Sequence, residues 1–176
     1  MPRKISRPAA SDYEAKTSFE ISQLVRRTDR PGLPPFGDPL SGIILVAEPA
    51  TGRDTETNAK MADALRRSLT ALRLDRAYVT WTHPYLLEEV LALEPSVLVA
   101  VGSDAARAID SLDYPLVKTP FSEATEGSPF AWTDGASGFL LPALAPALVD
   151  EDAKRRFWQA FLAMRALATR GEYTRS

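Results

Sequence analysis

The segment "SGIILVAEPATGRDTETNAKMADALRRSLTALR", Ser41 to Arg73, decides the fold. Ile43 to Ala47 are consecutive apolar residues with no polar alternation, the mark of a strand buried on both faces. Such strands belong to parallel sheets covered by helices. Further on, Met61, Leu65, Leu69 and Leu72 fall at helical spacing and predict an amphipathic helix over about residues 57–73. Between the two elements Glu48 stands where the strand surfaces, followed by a proline and a glycine turn.

The same alternation continues outward. Ser11 can cap a helix from about Asp12 to Arg27, with Phe19, Ile21, Leu24 and Val25 as its apolar face. Four prolines and three glycines between Pro31 and Gly42 predict a long irregular connection, functional or packed as a lid. "AYVTW" reads as a short strand, "PYLLEEVLALEP" as a short helix opening at Pro84, and "SVLVAVG" as a second continuous apolar strand. A helix restarts at Ser103, placed to cap it, and "SPFAWTDGASGFLLPAL" reads as two short strands around a turn. The last helix, "DEDAKRRFWQAFLAMRALA", has acids first and arginines after them, as the helix dipole prefers. Trp132 and Trp158 read as core residues.

This order predicts an α/β fold, a three-layer α/β/α sandwich with a mainly parallel central sheet. Residues 1–10 read as a basic tail, 11–170 as a single domain and 171–176 as a second tail. Function in such sheets sits at the carboxyl edge of the strands, where Glu48, "TWTHP" and Gly102-Ser103 all fall.

Composition narrows the chemistry. The 176 residues are 45% hydrophobic and 25% charged, and no run approaches the roughly 18 apolar residues of a membrane span. A soluble, cytoplasmic protein is expected, and the basic start has no apolar segment after it to make a secretory signal. The chain has no cysteine and one histidine, His83, which excludes thiolate zinc sites, iron-sulfur clusters and multi-histidine metal sites. No metal or cofactor is expected. A net charge of -2 lacks the basic footprint of a nucleic-acid coating protein, though a local basic patch is compatible with it.

Each candidate residue has a functional and a structural reading. Glu48 is a catalytic acid or a strand-end carboxylate that caps a neighbouring helix. Asp54, followed by Thr55 and Thr57, is a water-activating base or a helix cap. His83 contacts a ligand or is a surface loop residue, and Trp81 is a stacking platform or a wall of core or cleft. Ser103 caps its helix or binds phosphate there. Arg53 and Lys60, with Arg66, Arg67 and Arg73, form a DNA-backbone face or are simply solvated.

From about Arg30 to Ala168 the chain resembles the uracil-DNA glycosylase superfamily, particularly its thermostable, iron-sulfur branch. "LVAEPATG" is similar to that branch's G-E-x-P-G turn, and "LRLDRAYVTWTHP" to its strand ending in Y-I-T-N with a basic, proline-containing loop. "LLEEVLALEPSVLVAVGSDAARAI" is similar to E-I-x-x-L-x-P-x-V-I-V-x-L-G-x-x-A-A-x-A-L, and "EGSPFAWTDGASGFLLPALAPALV" lies over the final hairpin and H-P-S loop. The resemblance implies a carboxyl-edge site in which an acid assists water, an aromatic stacks on an extruded base, an amide reads its edge and a histidine stabilises its departure. Glu48 occupies the acid's position. Trp81, preceded by Thr80, stands for the amide, the stacking aromatic has no counterpart, and Ala145-Pro146-Ala147 replaces H-P-S, keeping only Pro146. The cluster cysteines are absent. Loss of most working positions implies a fold retained as a binding module for DNA, a modified nucleotide or a protein. The alternative is a glycosylase with a rebuilt site acting on a base other than uracil.

Overall fold

In a computed structural model, residues 15–17, 19–20, 23, 34–50 and 54–173 are described, with side chains through residue 169. The elements are β1 (Ile43–Ala47), α1 (Thr55–Ala71), β2 (Tyr78–Trp81), α2 (Leu86–Leu93), β3 (Val97–Val101), α3 (Ser103–Asp110), a 3-10 turn (Phe121–Glu123), β4 (Pro129–Ala131), β5 (Ser137–Leu141), α4 (Leu144–Ala147) and α5 (Glu151–Tyr173). The strands form one sheet in the order β2-β1-β3-β5-β4, parallel except for the β4–β5 hairpin. The protein is therefore α/β with a mostly parallel five-stranded sheet, as its apolar strands predict.

Alternate residues of each strand feed two cores. Leu45, Ala47, Val79, Trp81, Val99 and Phe139 face α1 and α5, where Met61, Leu65, Leu69, Phe161 and Met164 close over them. Ile44, Val46, Tyr78, Leu98 and Ala100 face the opposite side, beneath Leu86 and Val90 of α2 and Ala105 and Ile109 of α3. Each fully buried leucine of these helices contributes about 2 kcal/mol.

Four expectations change. Pro84 and Tyr85 form a turn, so α2 begins at Leu86. Trp158, read as core, is 37% exposed, because the buried stripe of α5 runs through Phe157, Ala160, Phe161, Met164 and Ala168 and leaves its neighbour on the boundary. The same helix continues to Tyr173, into the stretch read as a tail. At the other end, residues 15–17, 19, 20 and 23 are helical, but Phe19 is exposed while Thr17 is buried. Ser11, Ile21, Leu24 and Val25 lie outside the described residues. The second half of the proline-rich connection bonds to the sheet: Phe36 pairs with Val79 on the outer side of β2.

Candidate functional site

β1 and β3 are neighbours, yet the chain leaves β1 toward β2 and leaves β3 toward β5. Their carboxyl ends thus flank a topological switch point, the crevice where open α/β sheets bind ligands. β1 delivers Glu48 there. Its Oε2 accepts a 2.5 Å hydrogen bond from Thr82 Oγ1, and Thr82 N donates to Ala47 O, so the ends of β1 and β2 are fixed to each other. Asn58, buried in the first turns of α1, accepts from Ala50 N at 2.7 Å and ties the exit of β1 to that helix.

Asp54 caps α1, accepting from Thr57 N at 3.0 Å and from Thr57 Oγ1 at 2.6 Å. The Thr57 hydroxyl, and then its backbone N–H, hold the exposed Asp54 carboxyl below the usual range. Ser103 does not cap its helix. Gly102 is the N-cap, with φ at +92° and its N–H donating to Leu141 O, and Ser103 is the first helical residue, exposed to solvent. A side chain at residue 102 would meet Ala143 Cα at 3.1 Å, which is why glycine makes this junction. Pro146 lies exposed within α4 and accepts at its carbonyl from Val149 N and Asp150 N.

The densest polar cluster centres on Glu89, a residue the sequence did not single out. Glu89 is only 2% exposed, on the inner face of α2. Tyr78 donates its hydroxyl to Oε2 at 3.0 Å and Thr80 donates to Oε1 at 2.6 Å. His83 completes the set: its Nδ1 accepts from Tyr85 N at 3.1 Å, so Nε2 carries the proton and donates to Glu89 Oε1 at 3.2 Å. His83, read from sequence as a ligand contact or a surface loop residue, has a side chain only 8% exposed with both ring nitrogens engaged. Thr80 likewise is buried and committed to Glu89.

Burial first, then the Glu89 charge and hydrogen bond, push the Tyr78 phenol well above its ordinary range. Because the folded value is raised, the contribution is complete below the unfolded tyrosine pKa of about 10 and is lost as pH rises beyond it. Thermal melts of the wild type are therefore expected to fall more steeply above that pH than melts of Tyr78→Phe. Parallel slopes in the two proteins would contradict this assignment.

Trp81 packs in the core beneath α1, 3% exposed, and its buried Nε1 has no hydrogen-bond partner. Lys60 pairs with Glu56 at 3.3 Å, Arg67 with Asp63 at 3.0 Å, and Arg66 lies over the Phe36 ring. Arg73 follows α1 with φ at +57°, and Arg53 lies outside the described residues. α1, α2, α3 and α5 all carry acids in their first turns: Glu56, Glu88 and Glu89, Asp104, and Glu151 and Asp152. The exposed ones, Glu56, Glu88, Asp104, Glu151 and Asp152, satisfy the helix dipoles and oppose phosphate at the edge where those helices start.

Among the described residues no cluster of three or more His, Cys, Asp or Glu side chains could hold a metal ion, and no helix is long and apolar enough to cross a membrane. A groove of about 630 Å³ opens between α1, α4 and the start of α5, with Leu144, Ala147 and Phe157 at its base. No family model matches the chain, and no curated protein matches it in sequence.

Proposed function

We propose that this chain is a uracil-DNA-glycosylase-like protein without base-excision activity, which uses the fold as a binding module. One observation carries the reading: the chain's single histidine has both ring nitrogens committed, to Glu89 and to the Tyr85 backbone, leaving none to stabilise a departing base. Excision relies on several groups acting together in the transition state, so an acid at Glu48 without such a partner is insufficient. The core burial of Trp81, where the family keeps a base-reading amide, supports the same reading.

The acids in the first turns of the edge helices favour a protein partner over nucleic acid. A second reading, excision by a rebuilt site, draws on Glu48 alone. Thr82 fixes one of its carboxylate oxygens, and the other has no hydrogen bond among the described residues.

The test exposes the full chain to single- and double-stranded oligonucleotides carrying uracil, hypoxanthine or hydroxymethyluracil, scoring abasic sites and retention separately. No abasic product above background is expected, from wild type or from Glu48→Ala. Abasic sites formed by the wild type and lost in Glu48→Ala would overturn the proposal in favour of excision. Retention that falls steeply with salt would replace the protein partner with DNA.

A further inference from the structure

Helix α5 packs one stripe into the core and leaves the flank beside it open to solvent. Phe157, Phe161, Met164 and Ala168 are buried, whereas Lys154, Trp158, Leu162 and Arg165, which helical spacing places along the next flank, are all exposed. Trp158 is 37% and Leu162 43% exposed, one helical turn apart. The Trp158 ring is stacked on Phe161, with centroids 6.1 Å apart and planes at 12°, so the core holds it in place and its outer surface is a fixed apolar platform. Cations bracket the pair. Lys154 lies one turn before Trp158, and Arg165 one turn beyond Leu162.

Past its first turn, α5 is charged in one sense. From Ala153 to Gly171 it carries Lys154, Arg155, Arg156, Arg165 and Arg170 and no acid. Arg155 pairs with Asp152 at 3.8 Å and Arg156 with Glu126 at 2.6 Å, but Lys154 and Arg165 form no ion pair with any described residue. Across the groove α1 is already neutralised, Lys60 by Glu56 and Arg67 by Asp63. Two open cations around two exposed apolar groups are complementary to carboxylates around apolar groups. Asp150, Glu151 and Asp152, at the head of the helix, restrict what can supply them. Nucleic acid and an anionic membrane carry negative charge at every position and would bring it against these acids. A polypeptide places its carboxylates selectively. We propose that this flank of α5 docks an acidic amphipathic helix of a partner protein, with its apolar side chains over Trp158 and Leu162 and its carboxylates against Lys154 and Arg165. The docking stands on α5 alone and holds whether or not the carboxyl edge excises bases.

The chain carries its own reporter. Trp81 and Trp132 are 3% and 1% exposed, so Trp158 is the tryptophan that a soluble quencher reaches. The probe is a synthetic helical peptide with leucines at positions i and i+4 and glutamates flanking them, mixed with the full chain. Acrylamide quenching of Trp158 is expected to fall saturably as the peptide covers it. A scrambled peptide of the same composition should bind about tenfold more weakly, because its leucines no longer share a face. A version with lysines in place of the glutamates should give no protection.

Trp158→Ala should weaken binding of the acidic peptide, read by calorimetry, by about tenfold or more, as loss of a central aromatic does. Arg165→Glu should weaken it by about fivefold and strengthen binding of the lysine peptide, since reversing the charge reverses its complement. Far-UV circular dichroism checks that each variant is folded. No binding of the acidic peptide to the wild type, or equal binding of the scrambled or lysine peptide, would overturn the proposal. Tighter retention of a single-stranded oligonucleotide, or of vesicles containing phosphatidylserine, would overturn it in favour of nucleic acid or a membrane surface.

Discussion

Glu89→Ala is expected to destabilise the fold by about 3–5 kcal/mol, the range for removing one partner from a buried charged cluster. Glu89 is the shared acceptor for Tyr78, Thr80 and His83, and the Tyr78 and Thr80 hydroxyls also contact each other. Truncation strands the His83 N–H and leaves the two hydroxyls only each other, each lost bond at about 1–3 kcal/mol, less than additively because the groups form one network. It also opens a cavity between α2 and β2. Against the usual total of about 5–15 kcal/mol, this loss moves the urea midpoint far enough to be unmistakable. Glu89→Gln keeps a carbonyl acceptor but turns an amide donor toward groups that also donate, so its midpoint should fall between those of alanine and wild type. A loss below about 1 kcal/mol in Glu89→Ala would mean that water already satisfies these donors.

The network explains why the candidate site was only partly legible. β1, β3 and the leucine face of α1 could be read directly, because continuous apolar runs and helical spacing leave few alternatives. Glu89 could not, since the pair Glu88-Glu89 near the start of a helix resembles ordinary dipole compensation. Its signal lies in the neighbouring strand. Tyr78 and Thr80 alternate with Val79 and Trp81 on a strand buried on both faces, and two polar groups on one buried face require a partner from the helix above. Asp54 was legible as a cap because its threonine neighbours supply the hydrogen bonds. Ser103 misled for the opposite reason. Cap statistics favour serine, but the close approach of Ala143 requires glycine at the junction and moves the helix start by one residue. The carboxyl edge of the sheet follows from the order of the elements, while the commitments of His83 and Thr80 depend on contacts across the β2–α2 connection.

Gly37→Ala is expected to cost about 3 kcal/mol and to act locally, through the proline-rich connection. Gly37 has φ at +93°, in the left-handed region, and a β-carbon there would lie 2.1 Å from Ala77 O and 3.0 Å from Tyr78 Cα. Both obstacles are backbone, so no rotamer change relieves them. The segment must detach from β2 instead, and the free energy of detachment limits the cost. Detachment breaks the reciprocal Phe36–Val79 bonds, at 3.1 and 2.8 Å, and the bond from Asp38 N to Arg76 O. It also releases Phe36 from beneath Arg66 and Asp38 from its 2.7 Å ion pair with Arg76. Three net hydrogen bonds of about 1 kcal/mol each set the scale, while the exposed ion pair adds little. Hydrogen exchange separates this local event from global loss of stability. The Val79 amide, bonded only to Phe36, should lose protection far beyond the global change, whereas amides of β3 at the centre of the sheet should follow the global change alone. Equal acceleration at both would show that Gly37 supports the whole sheet rather than its edge.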